Sequence, residues 1–315
     1  MKDGFNRDID YLKISLTNIC DLKCTYCMPQ DSESSYNNIN KFLSLEDYKF
    51  IIKSMSELGI KKIEFTGGEP LLNPNLEHLI YYAKNYCNIE EVIVTTNGIK
   101  FAEKAINLKN AGLDKVNISI NSLKEYKYES LTRGGNLGLV LKSFNTALRL
   151  NIDTSIDTLI INNFNDDEIN DFIQLANNFP ITLRFFELMY VGKLESLFNE
   201  GYLNVVDLMD NMEGMTKINS DDKLCRHYYK KPGSKGKIGI ISRFNDSNCW
   251  NCDKISLSYD GKIRLCTYEN KEYDILNFIN KPLTFSEVMK EIITYKPKDF
   301  NEIKNNITYR NLNEL

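Results

Sequence analysis

Two groups of cysteines carry the residue types that could do chemistry in this chain of 315 residues. The first is Cys20-Asp-Leu-Lys-Cys24-Thr-Tyr-Cys27, at spacing C-x3-C-x2-C. Three thiolates so close in sequence can hold a metal centre but leave it one ligand short. A four-iron cluster bound this way keeps one iron open for a small molecule. The second group is Cys249-Trp-Asn-Cys252 with Cys266, at spacing C-x2-C-x13-C, again three thiolates. Zinc is the alternative centre for either group. Structural zinc takes four protein ligands, often as two C-x2-C pairs, and neither group supplies a local fourth. Cys87 and Cys225 read as buried thiols with no ligand role.

Other candidates are weaker alone. Thr66-Gly67-Gly68-Glu69-Pro70 is a turn whose glycines let the backbone approach a ligand closely. Lys230, Lys231, Lys235 and Lys237 surround Pro232-Gly233 and read as a solvated turn. Trp250, the single tryptophan, is expected to pack beside the second cysteine group. His78 and His227 lie in no nucleophile or metal-site pattern.

These residues need elements to position them. Residues 11–16 read as a strand running straight into the first cysteine loop. Ser44-Leu-Glu-Asp47 resembles a capping box, and Ile51, Ile52, Met55 and Leu58 follow at helical spacing up to Gly59. Strand and helix then alternate. Strands are expected at 62–65, 91–95, 115–120, 154–161 and 181–186, and helices at 76–87, 102–108, 139–150 and 166–177. That rhythm predicts a parallel sheet with right-handed crossover helices, its ligand site at the C-terminal strand ends. Beyond Gly192 the pattern changes to a short helix at 205–212 and short strands at 236–241, 255–258 and 263–265, with Asp260-Gly261 as a hairpin turn.

At 42% hydrophobic residues the chain can bury a sizeable core. A formal charge of −4 gives no electrostatic footprint for a nucleic acid polymer or a membrane. Met1-Lys2-Asp3-Gly4 leads into no apolar run, so no signal peptide is expected. Eight cysteines without a secretory signal suggest metal or redox use in a reducing cytoplasm rather than a disulfide framework.

The cysteine loop, with Tyr26 before its last cysteine, resembles the radical S-adenosylmethionine (SAM) superfamily. The resemblance implies that Cys20, Cys24 and Cys27 hold a [4Fe-4S] cluster whose open iron chelates SAM. Reductive cleavage of SAM then yields a 5′-deoxyadenosyl radical that abstracts a substrate hydrogen. Gly68 in the GGEP-like turn, Tyr26, Ser119 and Met189 fall where that superfamily holds SAM. With this core upstream, Cys249, Cys252 and Cys266 are expected to bind a second, auxiliary [4Fe-4S] cluster.

The motifs in order resemble the MoaA family, the GTP 3′,8-cyclases of molybdenum cofactor biosynthesis. They include Arg7-Asp-Ile-Asp-Tyr-Leu, Cys27-Met-Pro29, Thr95-Thr-Asn-Gly98, Ala111-Gly-Leu-Asp-Lys-Val-Asn117 and Arg184-Phe-Phe-Glu-Leu-Met-Tyr-Val-Gly192. The resemblance implies an α/β fold: a partial (β/α)6 radical SAM barrel over residues 8–192, and a small C-terminal auxiliary-cluster region over 193–315. It implies two [4Fe-4S] clusters, SAM, an electron donor, a small-molecule substrate, and Lys13, Thr95, Arg184 and Lys254 as substrate contacts. Several family basic residues are replaced: Lys13 stands for an arginine, Glu64 for another, and no base appears near Ser155. The family tail ends in two glycines, whereas this chain ends Asn311-Leu-Asn-Glu-Leu315. A glutamate where arginine would meet a triphosphate is repulsive. The leading expectation is GTP 3′,8-cyclisation; the alternative is a two-cluster paralogue acting on a peptide or another nucleotide.

Overall fold

A computed structural model describes residues 1–27, 43–188, 195–219, 225, 227–242, 249–267, 269, 271–299 and 302. Six strands alternate with helices as the sequence rhythm predicts. They are β1 (Tyr11–Ser15), β2 (Lys62–Thr66), β3 (Glu91–Thr96), β4 (Lys115–Ser119), β5 (Asp153–Ile160) and β6 (Thr182–Glu187). The crossovers carry α1 (Leu45–Glu57), α2 (Leu76–Tyr86), α3 (Phe101–Ala111), α4 (Glu125–Thr132), α5 (Leu137–Arg149) and α6 (Ile169–Asn178). Each of these strands pairs in parallel with the next in sequence. Their C-terminal ends therefore lie along one edge, and the loops that leave them share it.

Local chemistry sets the element ends. Ser44 caps α1 through the Asp47 amide, and Asp47 accepts from the Ser44 amide in return. Gly59, at φ +99°, follows the helix with a conformation that favours glycine. Alternation divides each strand between two faces. From β1, Leu12 and Ile14 join a core with Ile51, Ile52 and Met55 of α1 and Leu79 and Ile80 of α2. Tyr11 and Lys13 point to the opposite, inner face, where they meet Glu64.

The C-terminal part extends this sheet at both ends. After α7 (Glu195–Gly201) and α8 (Val205–Asp210) come β7 (Thr216–Ile218), β8 (His227–Lys230) and β9 (Lys237–Ile241). β9 pairs in parallel with β6. β10 (Lys254–Leu257) pairs in parallel with β1, and β11 (Lys262–Arg264) and β12 (Tyr273–Asp274) follow as antiparallel neighbours. The sheet runs β12-β11-β10-β1-β2-β3-β4-β5-β6-β9-β8-β7. Gly261, at φ +84°, makes the expected turn between β10 and β11. A final helix, α9 (Pro282–Thr294), buries Phe285, Met289, Ile292 and Ile293. Neither α4 nor α9 was expected from the sequence rhythm, and the 76–87 helix ends at Tyr86, with Cys87 as its cap.

One buried amide links the far strands to the first loop. Asn165 donates to the Asn121 and Leu159 carbonyls at 2.6 and 2.8 Å and accepts from the Ile161 amide at 2.7 Å. Asn121 in turn accepts from the Leu159 amide and donates to the Tyr26 hydroxyl at 2.7 Å. Asn165→Ala would orphan three buried backbone groups. Its midpoint in urea should fall by an amount worth roughly 3 kcal/mol or more; an unchanged midpoint would show that water replaces the amide.

Candidate active site

The first cysteine loop leaves β1 and is pinned from two sides. On one side the Lys23 and Thr25 amides donate to the Thr132 and Leu131 carbonyls at the end of α4. On the other, the turn after β2 docks backbone to backbone. The Gly68 amide donates to the Thr17 carbonyl at 2.6 Å, and the Glu69 amide to the Ile19 carbonyl at 2.8 Å. A Cβ at Gly68 would stand 2.1 Å from the Ile19 oxygen, and one at Gly67 would stand 2.5 Å from the Thr17 oxygen. The close approach that the glycines permit is thus to the cysteine loop itself.

Below the turn lies Glu69, buried without a cationic partner among the described residues. It accepts from the Leu71 and Asn97 amides and from the Thr96 hydroxyl, at 3.0, 2.8 and 2.7 Å. Burial pushes its pKa up to about 7, against the pull of those three donors. Asn97 leads on from Glu69 to the loop: its amide nitrogen donates to Asp21 at 2.7 Å and approaches the Cys20 sulfur at 3.8 Å. The ends of β1, β2 and β3 thus meet at the first cysteine, as expected for a site at the C-terminal strand ends.

None of the eight cysteines forms a disulfide. Cys20, Cys24 and Cys27 lie near enough to raise one another's thiol pKa. Burial is the larger cause: it raises Cys24 and Cys27 and takes Cys20 up to about 12. The second group is different. At Cys252, burial is outweighed by Lys296, a backbone amide and Lys254, and the thiol is held below its ordinary value. Among the described residues no three His, Cys, Asp or Glu side chains converge on one point, as a single metal ion requires. A four-iron cube spreads its thiolates over separate corners, and each group offers three sulfurs of the kind it takes.

Of the remaining SAM candidates, Tyr26 packs beside Leu131, Ile161 and Leu188, with its hydroxyl held by Asn121. Ser119 ends β4 directly opposite Asp157. Met189 lies outside the described residues.

The candidate substrate residues share the inner face. Lys13 pairs with Glu64 at 3.6 Å, and Glu64 also accepts from Tyr11 at 2.8 Å and Thr95 at 2.6 Å. Burial raises the Glu64 pKa, but Lys13, Thr95, Tyr11 and Arg184 bring it below the usual carboxylate value. Arg184 clamps Asp157 through two nitrogens, at 2.5 and 2.7 Å. Lys254 pairs with Asp253 at 2.7 Å and lies over the Tyr11 ring. Each of the expected cations is therefore matched by a carboxylate, and Asp157 is the member that sequence reasoning missed. Its signal was a charge within an otherwise strand-forming run, Asp153–Ile160. Between these pairs, Asn117 and Ser155 sit opposite each other on β4 and β5. Asn117 Oδ1 and Ser155 Oγ are buried with no hydrogen-bond partner among the described residues. Orphaned buried atoms of this kind call for a partner from outside the chain, such as a water, an ion or a ligand.

Trp250 corrects an expectation. It is 53% exposed rather than packed, with the Lys298 ammonium 4.9 Å from its ring centre. Lys231 and Gly233 are exposed, as a solvated turn requires. The C-terminal tail from residue 303 lies outside the described residues.

Residues 14–176 match the family described as the Radical SAM superfamily, and residues 181–302 match Molybdenum Cofactor Synthesis C. The fold is similar to solved radical SAM structures. For Streptococcus suis SuiB bound to precursor peptide SuiA the TM-score is 0.63 at 12% identity, covering 92% of this chain and 67% of that one. For anSMEcpe with bound AdoMet and Cp18Cys peptide it is 0.59 at 16% identity, covering 90% and 83%. The protein is a radical SAM enzyme.

Sequence relatives narrow the family. A GTP 3′,8-cyclase of Alkaliphilus oremlandii is 36% identical over 300 residues, covering 95% of this chain and 93% of the relative. One from Clostridium botulinum (strain Langeland) is 35% identical over 307 residues, covering 96% and 95%. The chain belongs to the GTP 3′,8-cyclase family, MoaA.

The docked glycine turn gives a direct test. Gly68→Ala must push the turn off the cysteine loop, so reconstituted protein should hold roughly half the parent's iron, with the second group still loaded. Full iron content with an unchanged fold would mean that the loop tolerates displacement.

Proposed function

We propose that the enzyme catalyses GTP 3′,8-cyclisation, with Cys20, Cys24 and Cys27 holding the SAM cluster and Cys249, Cys252 and Cys266 the auxiliary one. The observation that carries this reading is the match, along nearly the whole chain, to relatives named GTP 3′,8-cyclase. That coverage favours it over a peptide or another nucleotide as substrate. The first cluster and SAM, once bound, supply one-electron cleavage of the sulfonium and the radical that takes a ribose hydrogen.

The chain's own residues then have definable roles. Tyr26, Gly68, Ser119 and Met189 would hold SAM over the edge of the sheet. The inner face below, with Lys13, Thr95, Arg184 and Lys254, would hold the nucleotide. Phosphate oxygens would compete with Glu64 for Lys13 and with Asp157 for Arg184. Asn117 Oδ1 offers an acceptor and Ser155 Oγ a hydroxyl to the rest of the substrate. Reduction requires an external electron donor, and a reducing cytoplasm suits both clusters. No helix is long and apolar enough to cross a membrane among the described residues.

Reduced enzyme given SAM and GTP should form 5′-deoxyadenosine together with a cyclised nucleotide. SAM cleavage indifferent to GTP would overturn the assignment. Glu64→Gln removes one of the two screening charges. It should bind inorganic tripolyphosphate about tenfold more tightly by titration calorimetry. Equal or weaker binding would mean that phosphates do not meet this pair.

A further inference from the structure

Besides exposed Lys298 over Trp250, four cationic side chains lie in or against the stretches that carry the second cysteine group: Arg7, Lys254, Arg264 and Lys296. Three are matched by a carboxylate. Arg7 pairs with Asp3 at 2.5 Å, Lys254 with Asp253 at 2.7 Å, and Arg264 with Glu272 at 2.5 Å. Lys296 is 2% exposed and forms no ion pair with a carboxylate among the described residues. A buried ammonium without a counter-charge is strongly unfavourable. The fold nevertheless delivers it there, one residue past the cap of α9.

The contacts of Lys296 show what it faces. Its ammonium donates to the Lys254 carbonyl at 2.7 Å and to the Leu265 carbonyl. Lys254 follows Cys252 by two residues, and Leu265 immediately precedes Cys266. Its charge also lies near enough to Cys252 to help hold that thiol below its ordinary value. An ammonium has three donors, and the two carbonyls take two of them. Arg7 does a related task with its charge already balanced: it donates to the Cys249, Pro297 and Lys298 carbonyls. Arg7 is therefore a brace, whereas Lys296 is a brace that also brings an unmatched positive charge.

We infer that Lys296 is a positioning residue for the auxiliary cluster: it ties the segments bearing Cys252 and Cys266 together and supplies the counter-charge for their thiolates. The inference rests on reading Cys249, Cys252 and Cys266 as the ligands of that cluster. Net charge and hydrogen bonds to sulfur set the reduction potential of iron–sulfur centres. A fixed cation favours the more negative, reduced form, so Lys296 raises the potential of this cluster. The first cysteine group has no buried lysine or arginine described against its sulfurs in this way, and is untouched by the effect.

The test uses the full chain with Cys20, Cys24 and Cys27 replaced by alanine, leaving one cluster to observe. Lys296→Gln keeps hydrogen-bond donors for the carbonyls and removes the charge; Lys296→Arg keeps the charge. Iron content and a redox titration followed by electron paramagnetic resonance are the readouts. The glutamine variant should show a roughly tenfold lower ratio of reduced to oxidised cluster at fixed potential, a shift of about 59 mV for one electron. The arginine variant should restore most of it. If glutamine abolishes iron binding while arginine retains it, the need for the charge is equally supported. Equal potentials in glutamine and parent chains, or loss of iron from both variants, would overturn the role of the charge. A parent chain that binds no iron would instead refute the ligand assignment, and the inference with it.

Discussion

The site depends first on a contact between two stretches of backbone. The turn after β2 lies so close to the loop after β1 that neither Gly67 nor Gly68 has room for a Cβ. Two amide–carbonyl bonds, from Gly68 to Thr17 and from Glu69 to Ile19, hold that separation. The loop carrying the three sulfurs buries Leu22 and packs Tyr26 beside Leu131. Its geometry is taken from the sheet through these bonds, from α4 through the Thr132 and Leu131 carbonyls, and from β3 through Asn97. Parallel pairing of β1, β2 and β3 makes this possible, because it brings three chain exits to one edge.

The second cysteine group is built on another principle. Its neighbours include long cationic side chains arriving from distant parts of the chain. Arg7 comes from the N-terminal segment and Lys296 from beyond α9, and both bind carbonyls in the cysteine-bearing stretches. The pairing of β10 with β1 then joins this group to the inner face. Lys254 lies over Tyr11, Tyr11 donates to Glu64, and Glu64 meets Lys13 and Thr95. The two halves of the chain thus share one polar surface, and the sheet runs unbroken from β10 through β9.

That surface is close to electrically balanced. Glu64 and Asp157 each match a cation on a neighbouring strand, while Asn117 and Ser155 present atoms without partners. A polyanion entering here gains Lys13 and Arg184 only by displacing carboxylates from them.

Much of this could be read directly from the residues. The alternation of strand and helix implied the parallel sheet, because an amphipathic helix and a buried strand differ in period. The cysteine spacings pointed to two candidate metal-binding groups, because three thiols close in sequence, or two with a third returned by a hairpin turn, suit a metal centre. The pairing of Arg184 with Asp157, the exposure of Trp250 and the burial of Lys296 were not legible. Each depends on residues far apart in sequence meeting across strands or at the end of α9, and no local pattern encodes such a meeting. Periodicity and spacing are short-range properties, so they suffice for elements. Which charge is matched by a carboxylate and which is not depends on burial and on long-range pairing, and those exist only once the chain has folded.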